Sequence, residues 1–144
     1  LNQVIDNFKI NSFDKSLDIK DFDISFARGL SLEDGCATIT NFTAYLIAKG
    51  IEHANGNNSD PIKVMVCGGG RKNDYLINSI KSYLSHKQNI SLNSIDDYSL
   101  NGDYIESQAF GYLAIRSFLN LPISYPKTTG CIKPIVGGKL AQSF

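Results

Sequence analysis

The chain is predicted to fold as an α/β domain with a parallel sheet, on three observations. Val64-Met65-Val66-Cys67 is a short apolar run, read as a buried strand, that breaks into Gly68-Gly69-Gly70. A polar turn, Arg71-Lys72-Asn73, leads into a segment with Leu76, Ile77, Ile80 and Leu84 on one helical face. A second short strand is predicted at Asn89 to Leu92. Strand, glycine turn, helix and strand form a crossover unit, which sets the strands parallel and puts a ligand at their carboxyl ends.

Taken in order, Leu1, Val4, Ile5 and Phe8 fall at helical spacing, so residues 1–8 read as a short helix. Asn11 to Phe26 is an irregular polar stretch with room for one strand or turn. Ser31 is a helix N-cap, with Glu33 and Asp34 in the first turn where they oppose the dipole. That helix is predicted to run to about His53 and stop at Asn55-Gly56-Asn57-Asn58. Cys36, Ile39, Phe42 or Thr43, Leu46 and Ile47 make one apolar face, and Ala37, Ala44, Ala48 and Ile51 another. Its many β-branched residues are weak helix formers, so burial on two sides must hold it.

Pro61 ends the loop before the strand Ile62 to Cys67, in which Cys67 reads as a small buried apolar residue. The next helix spans about Asn73 to Ser85. Asn93 to Asn101 is a polar loop carrying Asp96 and Asp97. A further helix opens at Gly102-Asp103-Tyr104-Ile105-Glu106, puts Ile105, Ala109, Tyr112 and Leu113 on one face, and ends near Asn120 ahead of Pro122. The tail is rich in Pro and Gly, with a closing strand expected at Ile132 to Val136.

The 144 residues suit one domain, and 14 acidic residues balance 14 basic ones, so no basic field argues for nucleic acid. No apolar run approaches membrane-spanning length, and the N-terminus lacks a charged-then-apolar leader. Cys36, Cys67 and Cys131 are odd in number and widely spaced, so the expectation is a reduced, cytoplasmic protein without a disulfide framework. His53 and His86 read as surface residues, neither beside a cysteine or carboxylate cluster, which argues against zinc. The chain opens on Leu1 rather than Met, so the expectation is a piece of a longer protein or one product of a split reading frame.

Three adjacent glycines between a strand and a helix let a ligand approach the main chain, and the helix dipole favours an anion there. The spacing is neither that of the Walker loop nor the dinucleotide fingerprint. On pattern alone the turn serves equally as a phosphate or nucleotide site or as a turn that packs helix on sheet. Arg71 and Lys72 suit phosphate contacts or a solvated basic turn, and Asp96 and Asp97 suit a metal or a solvated turn; the solvated reading is favoured in both.

Val66-Cys67-Gly68-Gly69-Gly70-Arg71-Lys72-Asn73 and Asn101-Gly102-Asp103-Tyr104-Ile105-Glu106-Ser107-Gln108-Ala109-Phe110 together resemble the C-terminal half of the anhydro-N-acetylmuramic acid kinases. Lys15-Ser16-Leu17-Asp18 with Asp21-Phe22, Leu121-Pro122 with Pro126 and Thr129-Gly130, and Val136-Gly137-Gly138 extend the likeness, in order, from about Asp14 to about Leu140.

The resemblance implies a ribonuclease-H-like lobe of the sugar kinase, Hsp70 and actin superfamily, with residues 1–144 as the C-terminal lobe of a two-lobe enzyme. It implies ATP and Mg2+ as cofactors. The implied reaction converts 1,6-anhydro-N-acetylmuramic acid to N-acetylmuramic acid 6-phosphate in peptidoglycan recycling. It places Gly68, Gly69 and Gly70 against the nucleotide, has Asn73 cap the helix that follows, and sets Glu106 near the sugar. Glu106 also suits the third position of a capping box begun by Asp103, and the two roles are compatible.

The family's general-base aspartate, in Asp-Thr-Gly-Pro-Gly-Asn, has no counterpart here; Asp18, Asp21 and Asp23 belong to another motif, in which Ile19 and Lys20 replace the usual residues. The expected partner is therefore an N-terminal lobe in cis or in trans, with homodimers also common in the family. The competing expectation is a non-catalytic remnant, a nucleotide-binding or oligomerising module.

Overall fold

A computed structural model describes residues 22–141. The expected helix over residues 1–8 and the Lys15 to Asp21 part of the polar motif lie outside the described residues. A 3-10 turn at Ser25–Ala27 precedes α1, Leu32–Asn55. The chain continues through β1, Ile62–Val66; a 3-10 turn at Gly69–Lys72; α2, Asp74–Tyr83; and β2, Ile90–Ser94. It ends with a 3-10 turn at Ile95–Tyr98, then α3, Ile105–Phe118, and the single-turn α4, Pro126–Thr129.

α1 starts where its cap residue dictates. The Ser31 Oγ accepts from the Asp34 backbone N–H at 3.1 Å, and the helix stops two residues past His53, with Gly56 at φ 56° beyond it. Phe42 is buried on one side, edge-on to Phe26 at 5.1 Å, while Ala44 and Ala48 are buried on the other. Two residues rotate a helix by about 200°, so burial on two sides does hold this β-branched helix. The N-terminal part of both expected faces does not take part: Cys36 and Ala37 are exposed.

The two alanines leave room for α2 to lie against α1. Ala44, Ala48, Ile80 and Leu84 form one apolar cluster, with Ile51, Leu76, Tyr83, Ile90 and Leu92 packed around it. The Asn41 side-chain amide joins the seam by donating to the Tyr75 hydroxyl and accepting from Tyr83. His86 is surface-exposed as expected, but it has a partner: its Nε2 lies 2.9 Å from Glu52 Oε1 across the α1–α2 end.

β1 and β2 pair in parallel, from Ile62 opposite Ile90 to Val66 opposite Ser94. The crossover unit is as predicted, with one correction. β1 alternates: Ile62, Val64 and Val66 are half-buried, whereas Lys63 and Met65 are exposed. The apolar run therefore lacks burial on both faces, because among the described residues helices cover only one side of the sheet. Cys67 is exposed too, since it has left the strand and entered the turn.

α3 packs only lightly on the other helices and strands. Ile105 and Leu113 are half-buried, but Ala109 and Tyr112 of the expected inner face are exposed. Phe110, Ile115 and Phe118 each expose more than three-fifths of their surface. The expected strand at 132–136 is reduced to one antiparallel bridge, Ser124 to Ile135. Pro134 within it supplies no N–H for a longer ladder. Arg116 holds this return by donating to the Pro122 carbonyl at 2.8 Å and the Tyr125 hydroxyl at 2.7 Å.

Candidate functional site

The parallel register ends β1 and β2 at the same edge, so the glycine turn and the Ser94 to Asp103 loop emerge side by side. Gly68 has φ 76°, a backbone conformation that an L side chain resists, and this turns the chain out of the sheet. Its N–H donates to the Gly102 carbonyl at 2.9 Å, which ties the two loops together. Gly69 and Gly70 enter a 3-10 turn, and Asn73 then N-caps α2, its Oδ1 accepting from the Leu76 N–H at 3.0 Å. An added Cβ at Gly69 would meet nothing within 4 Å. That glycine therefore faces open space, and nothing in the packing demands it.

Beside the turn lies a charge cluster that the sequence reading did not assemble. The Arg71 side chain is only 7% exposed. Its Nε donates to Asp96 Oδ2 at 2.6 Å and its Nη2 to Asp96 Oδ1 at 3.3 Å, while Nη1 donates to Asp103 Oδ1 at 2.6 Å and to the Gly68 carbonyl at 2.9 Å. Lys72, largely exposed, reaches Asp103 Oδ2 at 2.8 Å. Asp96 also accepts from the Gly102 N–H at 2.9 Å. The solvated-turn reading is thus corrected for Arg71, while Asp96 is exposed as expected but ion-paired: parallel pairing brings a basic turn and an acidic loop together, and they neutralise each other. Two cations face two carboxylates, so the cluster leaves no surplus positive charge for a phosphate.

The titration properties follow from these contacts. The Arg71 hydrogen bonds, followed by the Gly102 N–H, hold Asp96 well below the usual carboxylate range. Arg71 first and Lys72 second pull Asp103 down to about 2. The same carboxylates, Asp103 foremost, raise Arg71 above its ordinary value and keep it a cation.

Groups with depressed pKa values stabilise the fold above their unfolded value of 3.8 and cease to do so as pH falls through the folded value. Melting temperature is therefore expected to drop between about pH 4 and about pH 2. An Asp103→Asn chain, melted across the same range, should show a smaller acid drop than the parent. Equal drops would mean that Asp103 adds nothing to acid sensitivity.

Asp103 does not begin a capping box. Tyr104 occupies the N-cap of α3 with no side-chain cap bond, because the Asp103 carboxylate is taken by Arg71 and Lys72. Glu106 is the second residue of α3 and exposed, and it makes no ion pair among the described residues. Gly68, Gly69, Gly70 and Asn73 thus come together at the strand ends, and Glu106 stands apart on the first turn of the helix that leaves them. Among the described residues, no three His, Cys, Asp or Glu side chains form a group able to hold a metal ion. No helix there is long and apolar enough to cross a membrane.

A parallel strand–helix–strand unit with a glycine turn at its carboxyl edge is the frame of an α/β protein, and open α/β sheets as a class bind ligands outside the carboxyl ends of their strands. The family model for anhydro-N-acetylmuramic acid kinase matches residues 7–142. Three similar proteins, each named anhydro-N-acetylmuramic acid kinase, come from Pelagibacter ubique, Zymomonas mobilis and Phenylobacterium zucineum. The first is 50% identical over 100% of this chain, the second 41% over 88% and the third 39% over 89%. The chain belongs to the anhydro-N-acetylmuramic acid kinase family. It spans 39% of the length of the first relative and 33% of the other two.

Proposed function

We propose that this chain is the C-terminal, ribonuclease-H-like lobe of a cytoplasmic anhydro-N-acetylmuramic acid kinase and supplies one wall of its ATP site. The observation that carries the reading is the glycine turn: it is placed at the carboxyl end of a parallel strand, and Gly69 opens onto empty space within 4 Å. A nucleotide can approach main chain there without meeting a side chain. ATP, when bound, would supply the phosphoryl group for the 6-oxygen of the anhydro sugar; the C1–O6 bond breaks, water's oxygen bonds to C1, and the water proton goes to the general base.

Gly68, Gly69 and Gly70 are the proposed nucleotide contacts. Asn73 fixes the first turn of α2 behind them by its cap. Glu106, exposed at the start of α3, is the proposed sugar contact. The Arg71 cluster is locally neutral, so it has no surplus charge to offer the triphosphate, and Mg2+ would meet part of that charge. No residue here is assigned to hold Mg2+. The general base lies in the part of the family's length that this chain does not span, so turnover requires that part in cis or in trans.

The test mixes this chain with a polypeptide carrying the N-terminal portion of a family member and measures ADP release in the presence of 1,6-anhydro-N-acetylmuramic acid. Sugar-dependent release above either portion alone is expected. Release no greater than the sum of the parts would sink assembly in trans and leave either the same portion joined in cis or a nucleotide-binding or oligomerising module.

A further inference from the structure

We infer that Arg71 is a positioning residue for the glycine turn and that Gly102 is glycine to make room for it. This deepens the proposal of a nucleotide wall at Gly68 to Gly70 and rests on it for the ligand, though not for the geometry. Arg71 sits at the junction of three segments: the turn that carries it, the 3-10 turn after β2, and the lead into α3. One planar guanidinium holds all three through Asp96, Asp103 and the Gly68 carbonyl. Lysine has a single ammonium in place of the fork and cannot reproduce that set.

Gly102 is the buried floor of this arrangement. An added Cβ there would lie 2.5 Å from Arg71 Nε and 2.8 Å from its Cζ, closer than real contacts allow. The φ of Gly102 is not in the left-handed region, so space, and not backbone freedom, is what the glycine provides. Its two backbone polar groups are also engaged, the N–H with Asp96 and the carbonyl with the Gly68 N–H.

Gly68 consequently has both its N–H and its carbonyl committed inward, to Gly102 and to Arg71. The open side of Gly69 is left facing out. Arg71 therefore acts on a ligand through the turn, from behind it, and its own charge is spent on two carboxylates.

The experiment compares the native chain with Arg71→Met, Arg71→Lys and Gly102→Ala. Amide hydrogen exchange is read by NMR, and binding of Mg-ATP and of adenosine by calorimetry. Arg71→Met is expected to speed exchange at Gly68 and Gly102 by about tenfold or more while the amides of Ile80 and Leu84 keep their protection. Affinity for ATP and for adenosine should fall together, by about tenfold, and Arg71→Lys should not restore it.

If Arg71→Met does not fold, Gly102→Ala, which leaves every charge in place, carries the same readouts. Native exchange at the turn would overturn the inference. Loss confined to ATP would make Arg71 a phosphate ligand instead, and equal loosening at Ile80 and Leu84 would make it a general stabiliser; both outcomes overturn it. If the native chain alone takes up neither ATP nor adenosine, the titrations are repeated on the chain mixed with the N-terminal portion; no uptake there either makes the nucleotide proposal fail, and exchange at Gly68 and Gly102 then decides the positioning role.

Discussion

A Gly69→Val chain is expected to fold as the native chain does and to lose nucleotide affinity by about tenfold or more, equivalent to ~1.4 kcal/mol or above. The first half of that expectation comes from packing. No atom lies within 4 Å of the added Cβ, and Gly69 does not occupy the left-handed region that would penalise a side chain. Thermal unfolding should thus shift little, in keeping with surface substitutions worth about 0.5 kcal/mol or less. The second half follows from the same open space. A branched side chain fills the gap through which a ligand would meet the main chain. Calorimetric titration of both chains with Mg-ATP checks it, with Gly68→Val as the contrast. The φ of 76° at Gly68 makes that substitution costly to the fold itself. Equal ATP affinity in the native and Gly69→Val chains would remove the glycine turn from the site.

Ile80→Ala is expected to be the most damaging single truncation in the core, at about 2–5 kcal/mol. Ile80 is 2% exposed and lies where α2 meets both Ala44 and Ala48 of α1. The buried apolar set among the described residues is short: Phe42, Ala44, Ala48, Ile80 and Leu84. The alanines bring the helices close, but they have little side chain with which to fill a void left between them. Chemical denaturation of the Ala variant beside Ile80→Val, which should cost only about 0.5–1.5 kcal/mol, measures the effect. A loss below about 1 kcal/mol for the Ala variant would mean that the α1–α2 seam relaxes into the cavity.

The local elements were legible in the sequence because their signals are local. Ser31 with Glu33 and Asp34, the Asn55-Gly56 stop, and the glycines after β1 each act through hydrogen bonds or backbone angles within a few residues, and α1, β1, α2 and β2 formed within about two residues of their expected bounds. Gly68 and Asn73 also play the backbone roles expected of them. The Arg71 cluster was not legible. Its members lie 25 and 32 positions apart, and only the parallel register sets them side by side. For the same reason Asp103 looked available to cap α3, when Arg71 had already claimed it. Exposure misled where it depends on what covers a surface: Cys67, Met65 and Tyr112 have apolar character but no described element across from them.

The light packing of α3 bears on the order in which the chain folds. Ile62 pairs with Ile90 only 28 positions away, and the apolar cluster draws all its members from between Ala44 and Leu92. Closing that unit ties off a short loop, at modest entropic cost, and rewards it at once with burial. The start of α3 joins afterwards through a different force, since what fastens it to the finished unit is the Arg71 latch on Asp96 and Asp103. Docking of the third helix should thus be the late step, sensitive to salt and acid where the first is not.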